Sequence, residues 1–488
     1  MEAVRRLGLI LVALVLSAAT YTNPVIPGDH PDPTIVRSGD QYLASATTSA
    51  WAPVFPIYRS RDLVNWTQVG AVLAQPPPWA SGKFWAPELQ AEPGRILAYW
   101  GAARHGGTPC IALSTAARAT GPWHYRGRVT CPPGGAIDAQ PFRDADGSRW
   151  LLWKAAGTQG IMIQRLDSQG LTVRGPPHRL LAPTAPWEQH VTEGPSLIRT
   201  GGRYLLFYSG GHCCSLPCSY AEGVAVATHI EGPYMKDPDN PVLRDSPAWK
   251  CPGHGTVIKA GGAGLVLLHH AFRADDVFNV RRQVLLDRVT LGPDGWPVVG
   301  GSVDVADSPT GVQQQPPATG FSDGFAFGLQ QGWEWLFDTS PTLTFGGGDL
   351  TQTCDGPLRF VARQTVVDRL TATATVEPPT GRASIGLALN LGRGVRGIEV
   401  GEGRVRAFTA SPTGAKTGPS IPAPPGRIQL VVSLIPGGRI ATYVGQPGGP
   451  LRRINAGPAT QGAAPTRLAL TCRGSGSGRF ASARVRAE

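Results

Sequence analysis

The chain has 488 residues, 45 Lys plus Arg against 34 Asp plus Glu for a net charge of +11, and 41% hydrophobic residues. That length exceeds one ordinary domain and predicts two, each long enough to bury a core. Its only long apolar run lies at the very start, which excludes a polytopic membrane protein.

Arg5 and Arg6 precede an apolar stretch from Leu7 to Leu16, and Ser17 with Ala19 supply the small residues of a cleavage site. Residues 1–19 therefore read as a signal peptide, with the mature protein secreted and not stably inserted in a membrane. Beyond it, helical periodicity is scarce. Short β-rich runs bounded by Gly, Pro, Asp and Ser recur, as in Gln41–Thr47, Trp150–Lys154 and Tyr204–Ser209. Five related segments stand out: His30–Val36, Phe84–Gln90, Ile137–Arg143, Val191–Arg199 and Gly253–Lys259. Their spacing of roughly 50–60 residues is that of a four-stranded propeller blade with its loops. Residues 21–305 are thus expected to form a five-bladed β-propeller. The first strand of each blade would line a central channel, where Asp32, Glu88, Asp138, Glu193 and His254, one from each segment, would meet.

Residues 306–320, rich in Pro and Gln, read as a linker. Residues 321–488 are again all-β, with runs such as Ser384–Leu389 and Ile428–Val432, and predict a jelly-roll-like β-sandwich. This region carries 18 Lys plus Arg against 10 Asp plus Glu. Arg prevails over Lys along the whole chain, so the excess reads as compositional bias, and nucleic acid is not an expected partner. In an exported protein the eight cysteines predict disulfides. Cys354 and Cys472, alone in the tail, form the natural pair. The cluster His212, Cys213, Cys214 and Cys218 has zinc-ligand residue types, but an oxidising compartment favours disulfides there too.

Cleaving a glycosidic bond needs one carboxylic acid to protonate the leaving oxygen and one carboxylate to activate water or to attack directly. Asp32 sits in His30-Pro31-Asp32-Pro33, where prolines fix the backbone on both sides, although spacing alone equally allows a turn residue. Glu193 is followed by Gly194, which leaves room for a ligand or another backbone. Asp138 is unremarkable by itself, and Asp144 and Asp146 read as turn residues before the strand at Trp150.

These segments together resemble glycoside hydrolase family 43 over the first 300 or so residues. His30-Pro31-Asp32-Pro33 resembles the segment of the family's general base, Ile137-Asp138 that of the acid that orients the general acid and raises its pKa, and Glu193-Gly194-Pro195 that of the general acid. Ser60 to Trp66, Phe84 to Glu88, Gly253-His254-Gly255 and Arg282 to Asp287 extend the likeness. The resemblance implies an inverting glycosidase acting on α-L-arabinofuranosyl or β-D-xylosyl linkages in polysaccharides or oligosaccharides. It further implies Arg282 near the pocket, no required cofactor, and His254 as a channel histidine that in some members approaches a structural calcium ion. Trp51, Trp85 and Trp187 lie in or beside loops above the channel, as sugar-stacking candidates, with core packing the competing role for Trp85. Two alternatives remain open from sequence: a non-catalytic glycan-binding propeller, and a retaining fructan-active propeller enzyme, whose Asn-Asp-Pro-Asn opening is missing here. Since every candidate catalytic residue precedes Gly300, the tail is expected to be dispensable for bond breaking.

Overall fold

The five repeated segments become the innermost strands of five antiparallel four-stranded sheets. The computed structural model describes residues 19–488 except 156–159, 276–280, 317, 319, 368, 391–393, 412–413, 436–438 and 459–466. The expected leader at 1–19 lies outside the described residues apart from Ala19. The inner strands are Thr34–Ser38, Ala80–Glu92, Ala136–Arg143, Glu193–Thr200 and Trp249–Lys259. Each leads outward through its own hairpins, and neighbouring inner strands touch in order around a closed ring. Among the described residues no helix is long and apolar enough to cross a membrane.

Five apolar clusters fill the gaps between successive blades, and the middle strands feed two of them at once. Leu151 and Trp153 pack toward the second blade, while Trp150 and Leu152 pack toward the fourth. Leu205 and Phe207 face the fifth blade, while Tyr204, Leu206 and Tyr208 face the third. A strand buried on both faces must be apolar at every position, which explains continuous runs such as Trp150–Trp153 where a one-faced sheet would alternate.

The ring is closed by the N-terminal segment. Thr20–Thr22 pairs with Val305–Asp307, so this closing strand runs past the expected boundary at residue 305. The Asn23 side chain bonds the backbone of Leu286 in both directions, and the Tyr21 hydroxyl donates to the Leu286 carbonyl at 2.6 Å. Gln313 and Gln314 hold Thr20 and Thr22 with their amides, which ties the expected linker down along the propeller.

The C-terminal region is a two-layer sandwich. One layer contains Ser384–Asn390, Val395–Gly401, Arg404–Ser411 and Gly414–Pro422, and the other Leu370–Val376, Ile428–Ile435, Arg439–Gly445 and Arg452–Pro458. The long strand Arg467–Ala487 belongs to both, pairing with Ser384–Asn390 in its first part and with Leu370–Val376 in its last. Asp349–Gln364 follows it, with a register shift between Gly356 and Arg359 of the kind that lets a strand turn a corner between sheets. Ile385, Leu387, Leu430, Leu470 and Phe480 fill the space between the layers. Cys354 and Cys472 are disulfide-bonded, Cα to Cα 5.3 Å, and so clip the two shared strands together.

The sandwich is docked on the propeller by backbone and side chain alike. Trp51–Ala52 pairs as a two-residue strand with Trp335–Leu336. Phe337 meets Phe84 edge to face at 5.5 Å. The Arg467 guanidinium lies 3.9 Å over the Trp51 ring while its Nε bonds Glu334. Gln364 reaches the segment that carries Asp32, its side-chain oxygen accepting the Asp29 amide at 2.7 Å.

Candidate active site

Each inner strand passes, just before or within its span, through a residue in the left-handed backbone region near the channel: Asp32 (φ 53°), Ala86 (φ 43°), Asp138 (φ 57°), Gly194 (φ 56°) and His254 (φ 48°). For a residue with a Cβ this conformation costs about 1–2 kcal/mol and persists only where the surroundings impose it. Here hydrogen bonds within and between blades hold it. Thr47 donates to Asp32 at 2.7 Å and accepts the Ala86 amide at 2.7 Å, Asp138 accepts the Gly194 amide at 3.2 Å, and Ser209 accepts the His254 amide at 2.7 Å. The room expected beside Glu193 is taken by a neighbouring side chain, since a Cβ on Gly194 would lie 2.9 Å from the His254 ring.

The repeated turn brings Asp32, Asp138, Glu193 and His254 together at one end of the channel. Asp32 Oδ1 accepts from Arg282 Nη1 at 2.9 Å and lies 3.5 Å from His254 Nδ1. Burial opposes its charge, but Arg282, His254, His270 and Thr47 hold its carboxyl well below the usual range. Asp138 goes the other way, up to about 6, because of its burial first and the adjacent Glu193 among its charged neighbours, with His254 and Lys154 opposing. Glu193 is bound by the Lys154 ammonium and by the Tyr220 hydroxyl at 2.7 Å. Burial works against the charge on His254, yet Asp32, Asp138, Glu193 and Glu222 raise its pKa.

Glu88, two positions past the left-handed residue of its blade, lies deeper in the channel against Thr256, 3.1 Å away. Burial lifts it to about 8, and burial likewise lifts Glu222, bonded to Ser209, to about 7. Both would ionise near 4.5 in the unfolded chain. The unfolded state therefore sheds these protons first, and stability present below pH 4.5 is lost as pH rises toward about 8. The melting temperature is expected to fall between pH 5 and pH 8 by something of order 5 °C, and Glu88→Gln should flatten that slope, as scanning calorimetry would read.

Trp51 stands at the domain junction, its ring against Phe360 and beneath Arg467. Trp85 is half-buried at the start of the second blade, with the Lys83 ammonium 5.4 Å from its ring. Trp187 packs on Tyr208 and against Gly210 and Gly223 within the fourth blade. For the calcium expectation, no group of three or more His, Cys, Asp or Glu side chains among the described residues is arranged to hold a metal. Nδ1 of His254 faces Asp32 and its ring packs on Gly194, and no catalytic step is routed through an ion.

Sequence reasoning passed over Thr47, Lys154, Tyr220 and His270. The backbone amide of Asp32 donates to His270 Nδ1 at 3.0 Å, which leaves Nε2 as the protonated nitrogen of a neutral ring. A cavity of about 760 Å³ opens between propeller and sandwich and is lined by His30, Thr47, Trp51, Arg282, Gln364 and Arg467 among others. It reaches two of the residues that hold Asp32, Thr47 and Arg282, so both domains shape the surroundings of that carboxylate.

A family model described as glycosyl hydrolases family 43 matches residues 21–297, more than half of the chain. The chain is 28% identical over 379 residues to xylosidase/arabinosidase 43B of Humicola insolens, a match taking in 70% of this chain and 66% of that protein. It is 31% identical over 313 residues to the β-xylosidase of Bacillus subtilis (strain 168), across 57% of each. The chain thus spans less than two thirds of the length of these curated relatives. Among solved structures, the GH43 protein BlXynB from Bacillus licheniformis superposes with a TM-score of 0.81 at 20% identity, covering 96% of this chain and all of that one. Xylan β-1,4-xylosidase from Bacillus halodurans C-125 gives 0.80 at 21%, again over 96% of this chain and all of that one. At these identities the likeness speaks for the shared fold of propeller and sandwich.

Proposed function

The chain belongs to glycosyl hydrolase family 43, and from that premise we propose that it hydrolyses α-L-arabinofuranosyl or β-D-xylosyl linkages with inversion at the anomeric carbon. The observation that carries this reading is the convergence of Asp32, Asp138 and Glu193 from three blades at one end of the channel. Asp32, held ionised by Arg282, takes a proton from water as the water oxygen bonds the anomeric carbon. Glu193 gives its proton to the leaving oxygen as the glycosidic bond breaks, and the products are a free sugar of inverted configuration and an alcohol. Asp138 brings a second carboxyl beside Glu193, and its own pKa is raised by burial and by that neighbour. Lys154 supplies the balancing positive charge and fixes where Glu193 points.

The substrate class is drawn from the curated relatives, whose names cover xylosidases and arabinosidases. The partner is a polysaccharide or oligosaccharide. We also propose export, supported by the pairing of all described cysteines in disulfides. A panel of aryl pentosides with arabinan and xylan, read by product release and by NMR of the first-formed anomer, tests the reading. Turnover with inversion is expected. Affinity without turnover would leave a binding propeller, and a retained anomer would overturn the assignment of Asp32.

A further inference from the structure

Tyr220 is buried where the fourth and fifth blades meet, and it touches both sides of the candidate machinery. Its hydroxyl donates to Glu193 Oε1 at 2.7 Å. Its ring stacks flat on His270, centroids 5.8 Å apart and planes 3° apart, and His270 accepts the Asp32 backbone amide. One side chain thus bridges the carboxyl assigned as acid and the histidine that seats the base.

The surroundings of this ring are built closely. A Cβ on Gly253 would lie 2.6 Å from Tyr220, so only glycine allows the ring to rest on that strand. Cys251 and Phe272 cover the ring, with Cys213 and Cys218 packed against them. Cys218, two residues before Tyr220, is disulfide-bonded to Cys251, three residues before His254. The bond therefore joins the chain entering the third strand of the fourth blade to the inner strand of the fifth, beside Tyr220. Cys213 and Cys214 are bonded to each other in the same loop, and the Cys214 carbonyl accepts from Arg281, which faces Asp29. Only one of these cross-links spans two blades. A phenol in a loop without a core of its own would lose its aim readily, because an ordering cross-link is what limits the loop's alternatives.

We propose that Tyr220 is a positioning residue for Glu193 and that the Cys218–Cys251 disulfide is the clamp that fixes it. The proposal rests on the general-acid reading of Glu193. A misaimed acid fails most where protonation of the leaving group matters most, so the signature is a ratio and not merely a loss.

The test compares kcat on an unsubstituted alkyl pentoside with kcat on the dinitrophenyl pentoside, for wild type, Tyr220→Phe and the double variant Cys218→Ser/Cys251→Ser. Phe keeps the stack on His270 and removes only the hydroxyl. Tyr220→Phe should lose roughly tenfold on the alkyl substrate and less than threefold on the activated one, in the direction expected for a weakened acid. The double serine variant, checked for folding by circular dichroism, should show the same skew, whereas Cys110→Ser/Cys131→Ser, which removes the remote disulfide of the second blade, should show none. Equal losses on both substrates, or no loss, in Tyr220→Phe would overturn the positioning role. An unskewed double serine variant beside a skewed Tyr220→Phe would remove the clamp. If Glu193→Ala is itself unskewed, the general-acid reading fails, a result separate from either of these.

Discussion

On a natural pentoside, Glu193→Ala is expected to lower kcat/KM by ~10²–10⁴-fold, while a dinitrophenyl pentoside loses much less. The alcohol that leaves a natural glycoside is a poor anion and needs the proton assigned above to Glu193. Dinitrophenolate departs readily without it. The alanine variant also strips Lys154 and Tyr220 of their partner, so Glu193→Gln is the cleaner companion. Its amide retains an oxygen for one of them and cannot supply a carboxylic proton. Both variants should show the same contrast between substrates. A loss independent of leaving-group acidity would assign Glu193 another role.

Asp32→Ala is expected to remove a comparable ~10²–10⁴-fold on both kinds of substrate, because activation of water is required whatever departs. Asp32→Asn keeps the side-chain shape and an acceptor oxygen for one of Arg282 and Thr47 and should be as inactive, which separates lost proton transfer from lost packing. Since Arg282, His254 and the Thr47 hydroxyl hold the Asp32 carboxyl well below the usual carboxylate range, any acid limb of the wild-type pH profile near pH 5–6 belongs to another group. Retention of near-normal activity by Asp32→Asn would exclude its role as base.

The propeller was legible because its inner strands carry the same local device five times. A turn into the left-handed region needs a residue that tolerates it, and the repeated Asp-Pro, Gly-Pro and His-Gly dipeptides mark it in the sequence. The acids could be read for the same reason. Lys154, His270 and Tyr220 could not, because each sits in or beside a second or third strand made mostly of apolar core residues. There a polar side chain reaches the channel end with no local pattern to announce it. Trp51 was read as a sugar-stacking candidate from its loop position; its ring also serves the junction between domains, and contacts across 300 residues of sequence leave no signature near either partner. The same applies to the tail. That every candidate carboxylate precedes Gly300 says nothing about Gln364 holding the Asp29 amide, three residues from Asp32.

The way the ring is fastened fixes an order of events during synthesis. Tyr21 finds its partner 265 positions later at Leu286, and Thr20 waits 293 positions for Gln313. At ~5–20 residues per second of translation, the first blade spends on the order of half a minute with one flank open after its own hairpins have formed. Folding from the N-terminus forward therefore stops short of a finished ring until residue 307 has emerged. A chain cut after Leu291 would contain four complete blades and most of a fifth, yet would lack the strand that pairs with Thr20–Thr22, leaving that segment open to pairing with a second copy.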